Sequence, residues 1–367
     1  MVFADIRMTR RTLLAGIPAS LAAGVPPQKQ RTAPRVSELY RFLDPVTENP
    51  IVRLTAPTSN SYLPKPTNRF VSIKDRFLVF SSDRTGTMSP FQVDLRNGAI
   101  GQLAYTSKLA PRSPCLGARK NALYCLDDGA LVEITLGNRK KKVLADGISD
   151  FCELDVPGTN ARFAVIRNKR LELAGETTGV TLAEGVDGLC VGRPGGMGCV
   201  FARNGTSGEQ EFWYVPTQPA ATPIRLASGA ISNPVWSHDG SQLLFLREVE
   251  RANTSVRVSE VHAIAPESLR EQLVTTTSQF AAFSPNEDNS VLVGASASRA
   301  QPTVLLLLVS VRRELTLCEH RASRPASVSP VFSPDSKRVY FESDHEGRSA
   351  LYSVNVERLV EPTPDGG

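Results

Sequence analysis

Histidine is the side chain in this sequence with the widest chemical repertoire, because a neutral imidazole binds metal ions and ionises near neutral pH. The 367-residue chain has only four histidines. His238 occupies the proline position of a turn tetrad, and His345 lies in a hairpin turn, so both are expected to be turn residues. His262 lies in an alternating run that favours one face of a strand over a ligand role. The fourth, His320, stands beside basic residues.

Three arginines are candidates for binding an anionic ligand. Arg321 and Arg324 lie next to His320, and Arg69 follows Asn68 at the start of a strand unit. A guanidinium presents a planar fork of donors that matches a carboxylate. The alternative interpretation is that these arginines are solvated loop charges.

The charge balance argues against nucleic acid as a partner. The chain has 42 Lys+Arg against 37 Asp+Glu, a formal net charge of +5. That is too nearly balanced for the basic surface of a nucleic-acid-binding protein. The sequence also lacks a G-x-S-x-G elbow, a P-loop and a dinucleotide-binding glycine motif. Nothing in the spacing of residues therefore selects hydrolase or nucleotide chemistry.

The six cysteines do not follow the spacing of a zinc site, since none lies in a CxxC pair. Cys115 with Cys125, and Cys190 with Cys199, are close enough in sequence to lie on neighbouring strands of a hairpin. A disulfide is one interpretation and burial as small apolar side chains is the other. The remaining two are Cys152 and Cys318.

The N-terminal 25 residues have the pattern of an export signal. Arg10 and Arg11 precede a short apolar run from Leu13 to Val25, which is too short to span a bilayer. Paired arginines before such a run indicate a twin-arginine signal peptide, so the protein is expected to be periplasmic or secreted. The alternative is a buried helix, which Gly16 and Pro18 would weaken. Residues 26–36 are interpreted as a linker.

Beyond this segment no apolar stretch is long enough for a membrane span. The run from Val304 to Val309 is bounded by Pro302 and by Arg312-Arg313, which suits a central strand buried on both faces. We therefore expect no membrane-spanning segment in the mature chain.

A repeated strand unit is the most informative feature of the sequence. Turn serines at Ser237, Ser284 and Ser333 follow one another at intervals of 47 and 49 residues. Each ends a short apolar strand, and a second strand follows the turn. A similar unit surrounds Ser72. Repeats of roughly 40 to 50 residues with several strands are typical of β-propeller blades, which bury their faces against each other.

Counting three weaker groups between residues 105 and 225 gives seven units, and the sequence predicts an all-β, seven-bladed propeller over residues 37–362. These groups lie around Leu123–Cys125, Phe163–Ile166 and Cys199–Phe201. The segment Leu39 to Leu54 is expected to supply the strand that closes the ring. Residues 363–367 are interpreted as a disordered tail. The alternative fold is a pair of β-sandwiches.

Two families of propellers resemble this chain. The tetrad Phe332 to Asp335, with the strand that follows it, resembles the repeat of the TolB family. The whole mature chain is similar to the oligogalacturonate lyase family, seven-bladed propellers of the same lineage. The segments that carry this second resemblance are Arg53 to Thr55, Phe77 to Gly86, Asp94 to Gly98, Gln102-Leu103 and Cys318 to Asp344.

The resemblance to the lyases implies β-elimination on uronate oligomers, with a divalent metal such as manganese held mainly by histidines at the mouth of the channel. The positions that should carry those histidines are Asn233, Ser327 and Ser329 in this chain. An amide and two hydroxyls are poor substitutes for imidazoles, so tight metal binding is expected to be lost. His320 is the histidine that the resemblance places near the mouth.

The sequence therefore favours a binding module without catalysis and with no cofactor. Its candidate ligand-binding residues are His320, Arg321, Arg324, Arg69 and Asn233. The expected partner is a protein or an acidic oligosaccharide at the propeller mouth. Two alternatives remain: a divergent oligogalacturonate lyase that keeps a divalent metal, and a TolB-like interaction protein of the periplasm.

Overall fold

The computed structural model describes residues 36–118, 120–154, 162–175, 180–218, 220–250, 257–277 and 279–360. The predicted export signal, most of the predicted linker and the predicted C-terminal tail lie outside these residues. The described chain is almost entirely β-structure, with a short α-helical turn at Glu357–Val360 and 3₁₀ turns at Pro194–Gly196 and Pro325–Ser327.

The strands form seven antiparallel sheets, which are the blades of a propeller. In blades 1 to 6 four consecutive strands pair in chain order, beginning with the innermost strand. The strands of blades 1 to 3 are β3 (Ser61–Tyr62), β4 (Phe77–Ser82), β5 (Ser89–Asp94), β6 (Ile100–Gln102), β7 (Cys115–Leu116), β8 (Ala122–Asp127), β9 (Ala130–Thr135), β10 (Lys141–Ala145), β11 (Asp150–Leu154), β12 (Arg162–Arg167), β13 (Arg170–Ala174) and β14 (Val180–Glu184).

The second half of the ring continues this arrangement and adds an N-terminal contribution. The remaining strands are β15 (Gly188–Gly192), β16 (Gly198–Asn204), β17 (Gln210–Pro216) and β18 (Ile224–Gly229) in blade 4; β19 (Ile231–Trp236), β20 (Leu243–Glu250), β21 (Arg257–Ile264) and β22 (Glu271–Thr277) in blade 5; β23 (Phe280–Pro285), β24 (Val291–Ser296), β25 (Thr303–Leu308) and β26 (Arg313–Glu319) in blade 6; and β27 (Val331–Phe332), β28 (Arg338–Ser343) and β29 (Ala350–Asn355), with β1 (Tyr40–Leu43) and β2 (Pro50–Arg53), in blade 7.

The N-terminal strands close the ring as the sequence predicts. Blade 7 has the strand order β1-β2-β29-β28-β27, so chain segments from both ends share one sheet. Ile51 lies opposite Val354, and Arg53 lies opposite Tyr352. The seven-bladed propeller closed by an N-terminal strand is therefore confirmed. The three weaker sequence groups also fall on strands, namely β8, β12 and β16, each the second strand of its blade.

Three of the turn serines share one local function, whereas Ser284 donates instead to Pro330 O at 2.6 Å. Ser333 Oγ accepts a hydrogen bond from Arg338 N at 2.9 Å, and Ser237 Oγ accepts one from Gln242 N at 3.0 Å. Ser72 Oγ accepts one from Phe77 N at 3.1 Å. Each hydroxyl thus satisfies the backbone amide that starts the second strand, which is the role that favours Ser in tight turns.

Apolar side chains fill the spaces between adjacent blades. Phe245 of blade 5 packs edge-on against Phe212 of blade 4, with ring centroids 6.0 Å apart. The predicted buried strand Val304 to Val309 corresponds to β25, whose central residues are buried. Because every blade is covered on both faces by its neighbours, its central strands consist of continuous apolar runs. The described part of the chain contains no helix with the length and apolar character needed to cross a membrane.

Candidate functional site

The central channel is a concave feature of the fold, and its wall is formed by the innermost strands of blades 2 to 7 and, in blade 1, by residues 66–73 between β3 and β4. Two adjoining cavities occupy it, with volumes of about 410 Å³ and about 460 Å³. Both are lined by the blade 1 residues Pro66, Asn68 and Arg69 and by the blade 5 residues Val235, Trp236 and His238. Each volume falls within the usual range for small-molecule sites.

Arg69 is the cation that the channel wall leaves available. Its backbone carbonyl accepts a hydrogen bond from Leu116 N at 2.6 Å, which fixes the main chain between blades 1 and 2. Its half-buried side chain lines both cavities. Among the residues that the structure describes, none forms a hydrogen bond or an ion pair with its guanidinium. A half-buried guanidinium with free donors is suited to binding a carboxylate from solution.

The neighbouring Asn68 supports the position of Arg69. Asn68 is buried, and its Nδ2 donates to the carbonyls of Ser113 and Pro114 at 3.2 and 3.1 Å. These bonds fasten the blade 1 segment to the residues that lead into β7, the innermost strand of blade 2. Since Asn68 uses its amide donors in this way, it orients the main chain before Arg69 and leaves ligand binding to Arg69 itself.

His238 lies across the channel from blade 1, in the turn that follows β19. It is exposed, lines both cavities, and no described residue forms a hydrogen bond with its ring. Trp236, two residues earlier, donates from Nε1 to Val191 O at 3.4 Å and is only 5% exposed. The turn position that the sequence predicts for His238 therefore also faces the channel.

A second channel arginine, Arg193, is already paired with other residues of the protein. Its Nε donates to Gly240 O at 2.7 Å, and its Nη1 lies 2.6 Å from Glu267 Oε1. The guanidinium also stacks over the rings of Tyr214 and Trp236. Arg193 therefore joins blades 4 and 5 and has little capacity left for a ligand.

The three positions where the lyase resemblance places imidazoles have structural hydrogen bonds in this chain. Asn233 Nδ2 donates to Phe283 O at 2.9 Å, which links blades 5 and 6. Ser327 Oγ donates to Arg324 O at 2.7 Å, and Ser329 Oγ donates to Ala326 O at 3.3 Å, both within one turn. An amide and two hydroxyls whose donors serve backbone carbonyls do not fit a histidine-based manganese site.

His320 is completely buried, at 0% exposure. Its Nδ1 accepts a hydrogen bond from Ala322 N at 3.0 Å, so Nε2 carries the proton and donates to Ser296 O at 3.1 Å. Burial lowers the pKa of His320. A neutral ring with both nitrogens bonded to the backbone fastens the segment after β26 to the end of β24 within blade 6, and the structure places it in the protein interior instead of at an open mouth.

Arg321 and Arg324 are both exposed but differ in their contacts. Arg321 Nε lies 2.6 Å from Glu319 Oε2, so its charge is paired locally. Arg324 precedes the turn Pro325–Ser327, and its guanidinium has no hydrogen-bond or ion-pair partner among the described residues. The five predicted ligand residues therefore do not form one group, and Arg69 is the member that lines the two channel cavities.

Sequence reasoning did not anticipate a group of three thiols in blades 3 and 4. The sulfur atoms of Cys152, Cys190 and Cys199 all lie within 4.8 Å of one another. Cys152 and Cys190 are 38 residues apart, close to one blade length, and lie on the innermost strands of adjacent blades. This spacing was the feature of the sequence that could have indicated the group. All six cysteines are buried and free, and both predicted hairpin pairs do lie on neighbouring strands.

Comparison with known proteins shows likeness in structure alone. No family profile and no curated protein sequence matches the chain. An oligogalacturonate lyase in complex with manganese matches 89% of this chain and 97% of its own, with 17% identity and a TM-score of 0.75. Oligogalacturonate lyase from Vibrio parahaemolyticus matches 88% of this chain and 97% of its own, with 16% identity and a TM-score of 0.70. TolB from Acinetobacter baumannii matches 77% of this chain and 64% of its own, with 12% identity and a TM-score of 0.48. The chain therefore has the propeller fold of these lyase structures.

Proposed function

We propose that this protein binds an acidic oligosaccharide in its central channel and does not turn it over. The observation that carries the proposal is Arg69, a half-buried guanidinium without an ion-pair partner among the described residues, in a channel lined by all seven blades. A carboxylate satisfies such a fork with two parallel hydrogen bonds. Uronate sugars carry one carboxylate per unit and are the substrate class named for the lyase that matches at a TM-score of 0.75.

We propose that the channel lacks catalysis because of the side chains at the positions expected to bind the metal. The positions that correspond to imidazoles in the resemblance are Asn233, Ser327 and Ser329, and each donates to a backbone carbonyl. Without a metal to polarise the uronate carboxylate, abstraction of the neighbouring proton lacks its electrostatic support. We therefore propose a binding role for the channel and export through the N-terminal segment.

Calorimetric titration with short oligogalacturonates tests the binding proposal. We expect saturable binding that weakens as salt is raised, and none with a neutral oligosaccharide of the same length. Arg69→Gln should weaken binding by roughly 10- to 100-fold, the effect of losing a charged hydrogen bond. Arg324→Gln is the matched control, because Arg324 is also free of an ion-pair partner among the described residues but does not line either channel cavity.

The results that contradict the proposal are equally specific. An equal loss of affinity in Arg69→Gln and Arg324→Gln, or binding of the neutral sugar with the same affinity, would show that Arg69 does not bind the ligand. Turnover is tested separately by incubating the protein with oligogalacturonate and Mn²⁺ and following the ultraviolet absorbance of the unsaturated product. Absorbance that rises and is abolished by a chelator would show that the protein is a lyase.

A further inference from the structure

Three buried sulfur atoms converge at the wall of the channel, on the side formed by blades 3 and 4 and beside the larger of the two cavities. Cys152 lies on β11 in blade 3, and Cys190 and Cys199 lie on β15 and β16 in blade 4. Their Sγ atoms are all within 4.8 Å of one another, and the Cys152 and Cys190 sulfurs are 3.1 Å apart. These are side chains from two blades that meet at one point.

We propose that Cys152, Cys190 and Cys199 bind one thiophilic divalent metal ion of the zinc class. A tetrahedral site with Zn–S bonds of about 2.3 Å places its sulfurs about 3.8 Å apart. The Cys152–Cys190 separation of 3.1 Å is shorter than that value, and every pair lies within 4.8 Å, so the three sulfurs are close enough to share one ion after side-chain adjustment.

The fourth coordination position faces the channel. Cys152 and Gly192 both line the cavity of about 460 Å³, whereas Cys190 and Cys199 are fully buried behind them. A Cβ atom at Gly192 would lie 3.4 Å from Cys152 Sγ and 2.7 Å from Glu153 O, so glycine keeps the space beside this sulfur open. Three protein ligands with one position open to water are the arrangement of a zinc site that exchanges ligands.

The charge of the site favours a divalent ion over a monovalent one. Binding releases a proton from each of the three thiols and leaves a site with one net negative charge for Zn²⁺, but two for Cu⁺. Since buried charge is costly, the divalent ion is the better match.

Competition with a chromophoric chelator tests this site on the full-length, reduced protein. We expect one equivalent of Zn²⁺ to be withheld from the chelator and one Cd²⁺ to give a thiolate charge-transfer band. Cys152→Ser and Cys190→Ser should each lose both signals. Cys115→Ser should keep them, because Cys115 lines the same cavity and is equally buried but stands outside the three-sulfur group.

Several outcomes would overturn the assignment. No Zn²⁺ retained by the reduced wild-type protein would do so, as would retention that is unchanged in Cys152→Ser. Preference for Cu⁺ over Zn²⁺ would contradict the ion class. A Cys152–Cys190 disulfide in the isolated protein, with no ion bound after its reduction, would show that the cluster is a redox pair instead. Circular dichroism confirms that each variant is folded before its signal is interpreted.

Discussion

Arg112 forms a bidentate ion pair with Glu342, and this pair joins blade 7 to the loop that enters blade 2. The Nη1–Oε1 distance is 2.9 Å and the Nη2–Oε2 distance is 3.1 Å. Glu342 is only 2% exposed, and it also accepts a hydrogen bond from Leu63 N at 2.7 Å. This bond links Glu342 to blade 1. One carboxylate therefore connects three blades at the point where the ring closes.

Removing Arg112 should destabilise the protein strongly. At pH 8, where Glu342 is ionised in the wild type, Arg112→Leu removes the counter-charge of the buried carboxylate, and the expected loss is about 3–5 kcal/mol in the free energy of unfolding. Replacing both residues by leucine should cost less than Arg112→Leu alone, because no unpaired buried charge remains. Urea unfolding of the three proteins measures both quantities.

Lys169→Ala is the control for this experiment. Lys169 pairs with Asp187 at 3.0 Å, but its side chain is 75% exposed. An exposed pair contributes about 0–1 kcal/mol, so this variant should unfold almost like the wild type. Equal destabilisation by Lys169→Ala and Arg112→Leu would show that burial of Glu342 does not set the cost.

Glu342 should also make stability depend on pH. Burial raises the pKa of Glu342 to about 7, and Arg112 opposes the shift only in part. An acid with a higher pKa in the folded state stabilises the fold below its unfolded pKa, and this contribution disappears as pH rises through about 7. Relative to Glu342→Gln, the wild type should lose about 3 kcal/mol between about pH 5 and about pH 8.

The pH comparison needs one further variant, because Asp75 titrates in the same window. Burial and the nearby Asp335 raise the pKa of Asp75 to about 6. Asp75→Asn should remove the contribution of Asp75 to the pH dependence of the free energy of unfolding and leave the contribution of Glu342 unchanged. If wild type and Glu342→Gln show parallel stability profiles, the pKa of Glu342 is not raised.

The repeat and its closure could be predicted from sequence because both depend on local order along the chain. Turn serines such as Ser237 and Ser333 act within a few residues of themselves, so their spacing reveals the blades. The role of Asn233 was less visible, since its partner Phe283 O is 50 residues away in another blade. The thiol group depends on which strands of adjacent blades face each other, and the 38-residue spacing of Cys152 and Cys190 indicates this only once the length of blade 3 is known.

The twin-arginine interpretation of the N-terminus gives a cellular prediction. Replacing Arg10 and Arg11 by lysines should retain the protein in the cytoplasm, because the signal depends on the arginine pair and not on charge alone. Cell fractionation followed by immunoblotting measures the distribution. Arg31→Lys, in the predicted linker, is the control and should be exported normally. Equal export of the wild type and the Lys-Lys variant would contradict the interpretation.

Ring closure by the N-terminal strand predicts a large effect from a single side chain far from the channel. Ile51 of β2 is 2% exposed and packs with Val354 and Val356, near the other end of the chain. Ile51→Ala should lower the free energy of unfolding by about 2–5 kcal/mol, through lost burial and the cavity that remains. Val46→Ala, at a position 62% exposed in the loop between β1 and β2, should stay within about 0.5 kcal/mol of the wild type. Urea unfolding measures both, and hydrogen exchange of β2 and β29 shows whether the two strands separate together. Independent exchange of the two strands, with little loss of stability in Ile51→Ala, would mean that β2 does not hold the ring closed.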